Sequence, residues 1–381
     1  MARQWMLGAK TAVDDESYMR EALRLARKGL GRVSPNPMVG AVDVRDDIVI
    51  GRGYHKLFGG PHAEVNALEG LEDKAKGATL YVTLEPCCHY GKTPPCADLI
   101  IKRRIGRVVI GTEDPNPLVA GRGIKILRGH GITVNIGVLS RECHELNAPF
   151  FKYFERGLPF ITLKIAQSLD GRIATRQGSS RWISSPASLR LAHRWRALHD
   201  AVMVGVDTVI ADNPSLTVRL VRGKNPLRLV LDSHLRIPLE SRILVDRHVT
   251  RTIVVTTDRA DPHQRKEVQD RGARVLTVQS NPNGQVDLLA ALRRLAGEGI
   301  TSILVEGGGK LSTSFVKAWL VDQLLLVIGS KIIGTGIEAM GDLGISDMNE
   351  AVRLSIDKIR RVGDDLIVMA RIRPTEGEKV S

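Results

Sequence analysis

His62-Ala63-Glu64, Glu85-Pro86-Cys87 and Pro95-Cys96 bring one imidazole, two thiols and a carboxylate into a short stretch of a 381-residue chain. A catalytic zinc takes three protein ligands and leaves its fourth position to water. His62, Cys87 and Cys96 supply such a set, and bound zinc lowers the pKa of its water to about 7. Glu64, two residues past the histidine, is placed to reach that water rather than the metal. A carboxylate there can take the water proton and return it to a departing amine. Cys88 is adjacent to Cys87 and competes with it for the ligand role. A structural zinc site takes four protein ligands and would leave Glu64 without a task. Of the four cysteines, three (87, 88 and 96) fall within ten residues and the fourth is at 143. That spacing suits a metal site better than a disulfide framework.

These residues need rigid elements behind them. The spacing predicts a helix over Glu16–Lys28, with Met19, Ala22, Leu23 and Ala26 on one face. A hairpin is expected from Val39–Val44 and Ile48–Gly51, then a helix from His62, a strand Thr79–Thr83, a helix Cys96–Arg103 and a strand Arg107–Gly111. His62 and Cys96 thus stand at predicted helix starts, where the helix dipole favours thiolate over thiol. Helices alternating with short β-rich runs imply a layered α/β sheet.

A linker is expected at Phe150–Pro159, followed by a second α/β series. Its predicted strands are Phe160–Ile165, Ala201–Val206, Leu227–Leu231, Thr252–Thr256, Val275–Val278, Ser302–Val305, Gln323–Ile328 and Leu366–Ile372. Ser185-Pro186 opens a helix with Leu189, Ala192, Trp195 and Leu198 on its core side, and Val286–Ala296 forms another. Glu306-Gly307-Gly308-Gly309 ends a strand just before a helix near Leu311, a turn whose backbone N–H groups suit phosphate. It is not the G-x-G-x-x-G fingerprint, so a Rossmann assignment is excluded. On the residues alone this half is a nucleotide-binding α/β domain.

Composition narrows the partners. With 43% hydrophobic and 25% charged residues, the chain reads as globular and not as disordered or collagen-like. Met1–Lys10 lacks the apolar run of a signal peptide, and no apolar stretch approaches the roughly 20 residues that span a bilayer. A cytoplasmic protein without a membrane partner is expected. The net charge of +13 raises the question of nucleic acid. The excess divides into +5 over residues 1–157 and +8 over 158–381, with no block of five like charges. With no basic tract for nucleic acid, and small anionic ligands needing only a few placed cations, most of the excess reads as a solvated basic surface that modestly attracts phosphorylated ligands. The competing readings are a tRNA- or cytidine-type zinc deaminase with an accessory domain, and a zinc-stabilised RNA-binding protein. Either would concentrate cations and stacking aromatics beside the zinc ligands, and only Tyr54, Phe58 and Tyr90 are near.

The H-x-E and P-C…C pattern follows the zinc deaminases, in which an activated water attacks an amino-bearing ring carbon. Their general signature puts two residues between the cysteines; here there are eight. Asn36-Pro37-Met38-Val39-Gly40, Gly59-Gly60-Pro61-His62-Ala63-Glu64 and the run from Tyr81 to Cys96 resemble the bifunctional riboflavin-biosynthesis proteins, a pyrimidine deaminase fused to a ribose reductase. The long inter-cysteine segment is that family's own form. Asp114-Pro115-Asn116-Pro117 and Ala120-Gly121-Arg122-Gly123 also fit, and the resemblance covers both halves.

The resemblance implies a cytidine-deaminase-like α/β/α domain at 13–150 and a dihydrofolate-reductase-like α/β domain at 158–375. It implies zinc and NADPH as cofactors, a small phosphorylated pyrimidine nucleotide as substrate, and a homo-oligomer. Asn36, His55, His89 and Lys92 would contact the deaminase substrate. Ser180, Leu216, Arg219 and Glu306 would hold the reductase substrate, with Arg219 toward its 5′-phosphate. Ala166, Trp182, Thr208, Asp212 and Ser233 would line the NADPH site, with Gly308, Gly309, Lys310, Leu311, Ser312, Thr313 and Ser314 completing it. Lys164 and Asp212 are both candidates for handling the reductase proton.

Overall fold

The computed structural model describes residues 7–91 and 93–373, with side chains from Asp15 onward. The chain divides into two compact units, Met1–Arg156 and Gly157–Ser381. Among the described residues, no helix is long and apolar enough to cross a membrane.

The first unit contains α1 (Leu7–Ala26), β1 (Gly40–Arg45), β2 (Ile48–Tyr54), α2 (Ala63–Leu68), β3 (Thr79–Leu84) and α3 (Cys96–Lys102). It continues with β4 (Arg107–Thr112), α4 (Arg122–Gly129), β5 (Thr133–Ile136), α5 (Ser140–Leu146) and α6 (Ala148–Arg156). The sheet order is β2-β1-β3-β4-β5, with β1 antiparallel to both neighbours and β3, β4 and β5 parallel. Alternation along each strand sorts the side chains into two cores. Leu80, Val82, Val108 and Ile110 meet α2, α3 and α4 through Ala67, Ile100 and Leu127. Tyr81 and Val109 turn the other way, onto Met19, Ala22 and Leu23 of α1 and Cys143 of α5. The result is an α/β/α sandwich.

The second unit begins with β6 (Phe160–Ser168), β7 (Arg172–Thr175), α7 (Pro186–Leu198), β8 (Ala201–Gly205), α8 (Val206–Asp212), β9 (Leu227–Leu231) and α9 (Arg242–Val245). Then come β10 (Thr252–Thr256), α10 (Pro262–Asp270), β11 (Arg274–Thr277), α11 (Leu288–Ala296), β12 (Ser302–Val305) and α12 (Gly309–Lys317). It ends with β13 (Gln323–Gly329), β14 (Gly336–Glu338), β15 (Arg353–Val362) and β16 (Asp365–Arg373). Nine strands form one sheet in the order β11-β10-β9-β8-β12-β6-β13-β16-β15, parallel as far as β13 and antiparallel beyond. Strands β7 and β14 pair separately. The chain runs outward from β8 through β9, β10 and β11, then returns to insert β12 between β8 and β6. That reversal opens a crevice at the carboxyl ends of the strands, where ligands of open α/β sheets bind.

Two sequence expectations need correction. The stretch expected to link the units is mostly helix α6, whose Phe150 and Phe151 are buried against Leu84. Its aromatic residues are core contacts rather than a break. Strands β5, β7, β14 and β15 are not among the expected ones; β15 carries the polar, charge-rich pattern of an edge strand, so its apolar alternation is weak.

Candidate metal centre and reductase cleft

His62 is the residue before α2, and Glu64 lies in that helix's first turn. Helix α2 lies directly on β2: a Cβ at Gly53 would stand 2.1 Å from the Ala63 carbonyl oxygen. Only glycine admits that approach. Cys87 follows β3, and Cys96 is the first residue of α3. These elements bring His62 Nδ1 to 3.4 Å from both Cys87 Sγ and Cys96 Sγ. The three ligand atoms all lie within 4.8 Å of one another. The Cys96 backbone N–H also donates to Cys87 Sγ at 3.3 Å.

The electrostatics suit a dication. A hydrogen bond from the Cys96 thiol, aided by His62, lowers the Cys87 thiol pKa against the effect of burial. Metal binding by such a pair displaces thiol protons. A nitrogen and two sulfurs are borderline-soft donors matched to zinc. Cys88 Sγ instead faces the Leu118 carbonyl at 3.7 Å and stands outside the cluster. Glu64 is buried, and its carboxyl is pushed up to about 7 by burial and then by the Cys87 charge.

The pyrimidine-side residues are partly assembled. His55 Nδ1 lies 3.0 Å from the Pro61 carbonyl, which can only accept, so Nδ1 carries the proton and Nε2 accepts from Asn36 Nδ2 at 3.2 Å. Burial pushes the His55 pKa down, keeping the ring neutral. The His55 ring stands edge-on to His62, with centroids 5.4 Å apart. His89 Nδ1 is buried with no hydrogen-bond partner among the described residues, as expected of a group that awaits a ligand. Lys92 lies outside the described residues.

In the second unit a cleft of about 2060 Å³ opens along the sheet crevice. Ser180, Thr208, Asp212, Ser233, Gly308, Gly309, Lys310, Leu311, Thr313 and Ser314 all line it. Helix α12 starts there from Gly308 with no side-chain cap, leaving its first N–H groups for a ligand. A Cβ at Gly308 would find only Ile173 Cδ1, at 4.0 Å, so the space beside this glycine is open. An extended phosphate-bearing cofactor fits this cleft.

The remaining expected residues sit elsewhere. Ser312 is buried on α12, and Ala166 packs against the cluster around Trp195. Trp182 is largely exposed, with the Arg181 guanidinium over its ring. Leu216 is buried in the core formed with α8 and α10, at φ 51°. Arg219 donates its backbone N–H to His193 Nδ1 at 3.0 Å and its guanidinium to Thr217 Oγ1 at 2.9 Å. Glu306, at the end of β12, receives both arms of Arg196.

Sequence reasoning missed Arg196 and His193. Both lie on α7, three residues apart and so on one face, and Arg196 also donates to the Thr217 carbonyl. Burial, then the charges of Arg196 and Arg219, push His193 down to about 4, so it accepts as a neutral ring. Burial alone would raise Glu306, but Arg196 and Lys164 outweigh it and hold the carboxylate at about 2. The i,i+3 polar pair beside Trp195 was the available signal, masked by the apolar periodicity of the same helix.

Comparison with known proteins agrees with both halves. Residues 12–112 match the cytidine and deoxycytidylate deaminase zinc-binding region, and residues 159–368 match the RibD C-terminal domain. The riboflavin biosynthesis protein RibD of Aquifex aeolicus is 45% identical over 93% of this chain and 97% of its own length. That of Escherichia coli K12 is 39% identical over 93% and 98%. The solved Acinetobacter baumannii RibD superposes with a TM-score of 0.86 at 37% identity, covering 95% of this chain and 100% of its own. A diaminohydroxyphosphoribosylaminopyrimidine deaminase/5-amino-6-(5-phosphoribosylamino)uracil reductase from Thermotoga maritima gives 0.80 at 38% identity, with the same coverage. A cytidine-deaminase-like unit with a His62/Cys87/Cys96 zinc site and a reductase unit on one chain, matched nearly end to end, place this protein in the RibD family of bifunctional riboflavin-biosynthesis deaminase/reductases.

Proposed function

We propose that the chain performs two consecutive reactions on one phosphorylated pyrimidine nucleotide. The first unit removes the 2-amino group of 2,5-diamino-6-ribosylamino-4(3H)-pyrimidinone 5′-phosphate. The second reduces the ribosyl carbon C1′ of the deaminated product to the ribityl level. The observation that carries this reading is the convergence of His62, Cys87 and Cys96 around a common point, with the buried carboxyl of Glu64 in the same helical turn.

Zinc, when bound by His62, Cys87 and Cys96, supplies the Lewis acidity that makes water nucleophilic at neutral pH. Glu64 takes the proton from the attacking water and delivers it to the leaving amine, which departs as ammonia. Its burial keeps bulk water from intercepting that proton. The neutral His55 ring, held by Pro61, orients the Asn36 amide toward the heterocycle or ribose, and His89 supplies a further ring nitrogen. Lys92 provides a cation for the phosphate.

NADPH, when bound, supplies the hydride. Gly308, Gly309, Lys310, Leu311, Thr313 and Ser314 of α12 and its start would hold it, together with Thr208, Asp212 and Ser233 of the same cleft. Ala166 and Trp182 would complete the NADPH site, and Ser180, Leu216, Arg219 and Glu306 would hold the sugar phosphate. Lys164 or Asp212 gives the proton that accompanies the hydride. Burial and the Arg196 charge push Lys164 down while Glu306 pulls it up, for a net lowering that suits an ammonium asked to release a proton.

The protein works in the cytoplasm as a homo-oligomer. Exposed Leu354, Ile356 and Ile359 on edge strand β15 support the assembly, because the bulge between Ile356 and Lys358 keeps all three on one face. The test is to mix purified protein with the diaminopyrimidinone ribosyl phosphate and NADPH, following ammonia and NADP together while assaying zinc on the same sample. One ammonia and one NADP per substrate support the proposal; ammonia without NADPH oxidation, or neither, overturns it.

A further inference from the structure

We infer that Glu85 is a positioning residue for zinc: its buried carboxylate ties the loop that carries Cys87 to the start of helix α4, and so fixes the Cys87 sulfur. Glu85 is 3% exposed. Its Oε2 accepts the Gly121 N–H at 3.0 Å and the Asp114 N–H at 3.3 Å, and its Oε1 accepts the Ile124 N–H at 3.2 Å. Gly121 precedes α4 in a left-handed conformation (φ 73°), and no side chain of its own caps that helix. Glu85, arriving from the end of β3, supplies the missing cap with a negative charge at the positive helix end.

The contact extends along the backbone. A Cβ at Gly123 would stand 2.2 Å from the Pro86 carbonyl oxygen and 3.2 Å from Glu85 Oε1, so α4 lies directly against the loop. From the other side, the Ala97 N–H donates to the Cys87 carbonyl at 3.1 Å and the Cys96 N–H donates to the Cys87 sulfur. Cys87 is thus held between the starts of α3 and α4. The α3 anchor runs through the backbone N–H groups of Cys96 and Ala97; the α4 anchor passes through the Glu85 carboxylate. Three amide partners engage both of its oxygens, so Glu85 acts through Cys87 and not on the metal itself. Outer partners of this kind typically change metal affinity by about 10- to 100-fold when lost.

The inference rests on His62, Cys87 and Cys96 holding zinc. The experiment uses the full chain and its Glu85→Ala and Glu85→Gln variants. Zinc affinity is measured by competition with a chromophoric chelator, and ligand geometry by the thiolate charge-transfer and d–d bands of the cobalt(II)-substituted protein. The cooperative unfolding transition of the first unit within the full chain reports folding, and NADPH-dependent reduction of the deaminated intermediate reports the integrity of the second. Glu85→Ala is expected to bind zinc about 10- to 100-fold more weakly, with altered cobalt bands and undiminished reductase activity. Glu85→Gln keeps the shape but turns an N–H₂ toward an amide N–H, and is expected to lose about threefold or more. If Glu85→Ala does not fold, Glu85→Gln carries the test. A folded variant with wild-type zinc affinity and cobalt spectrum overturns the inference and leaves the zinc assignment intact. A wild-type chain that fails to bind zinc removes both.

Discussion

Arg196 donates to both oxygens of Glu306, Nε to Oε1 at 2.7 Å and Nη2 to Oε2 at 2.8 Å, joining helix α7 to the end of strand β12. Both side chains are largely shielded from solvent. Removing one partner of such a pair strands the other charge, at a cost of about 3–5 kcal/mol. Glu306→Gln, which leaves Arg196 and Lys164 without their counter-charge, is expected to destabilise the reductase unit by that amount and to abolish ribose reduction. The folded pKa of Glu306, about 2, lies below its ordinary 4.5. The pair's contribution is therefore complete above about pH 4.5 and is lost as pH falls through about 2. Urea unfolding at pH 7 and pH 3 checks both statements; unchanged stability in the variant would refute them.

Asp43 makes the opposite pH prediction. It is fully buried on β1, and neither carboxylate oxygen has a hydrogen-bond partner among the described residues. Burial pushes its pKa from 3.8 to about 7. The folded state then holds a proton that the unfolded chain gives up, so stability is full below about pH 4 and declines as pH rises through 7. The full change is about 4 kcal/mol. Asp43→Asn should remove this component, and the difference in unfolding free energy between variant and wild type should grow from pH 5 to pH 8. A difference independent of pH would contradict the assignment.

Gly308 and Gly309 separate cofactor space from packing space. Gly308→Ala places a methyl in the open cleft and is expected to leave stability within about 1 kcal/mol while weakening NADPH binding about tenfold. At Gly309 a Cβ would meet the Glu338 carbonyl at 2.4 Å, so Gly309→Ala should instead destabilise the unit. Fluorescence titration with NADPH beside thermal unfolding tells the two apart. Equal effects on binding and stability at both positions would sink this distinction.

Metal removal should act on one reaction only. Chelation is expected to stop ammonia release and spare NADPH oxidation on the deaminated intermediate, with zinc restoring the first activity. Cys96→Ser should lose the metal. Cys88→Ser should keep it, because Cys88 Sγ is turned to Leu118. Stoichiometric zinc in Cys96→Ser would make Cys88 a ligand after all.

The parts of this fold that chemistry constrains tightly were the legible ones. His62, Glu64, Cys87 and Cys96 are few residues with strict spacing, and the helices expected from His62 and from Cys96 are α2 and α3. The second half was legible as alternating strands, because buried parallel strands read as apolar runs such as Ala201–Val204. Three things were hidden. Helix α6 looked like a linker because Phe150 and Phe151 are buried by strand β3, which no local pattern reveals. Strand β15 alternates too weakly to be seen without its partner β16. The anchoring of Arg196 on Glu306 and of Glu85 on α4 spans 110 and 36–39 residues of sequence, respectively, where α4 is reached at Gly121 and Ile124. Such pairings come from topology and have no local signature.

The central claim is that one chain holds two separable active sites. Glu64→Ala, verified as folded and zinc-loaded, is the most direct probe. Ammonia release should fall by about 10²- to 10⁴-fold, the usual yield of a general acid–base group, while the deaminated intermediate is reduced by NADPH at the wild-type rate. Loss of both activities in that variant would contradict the account.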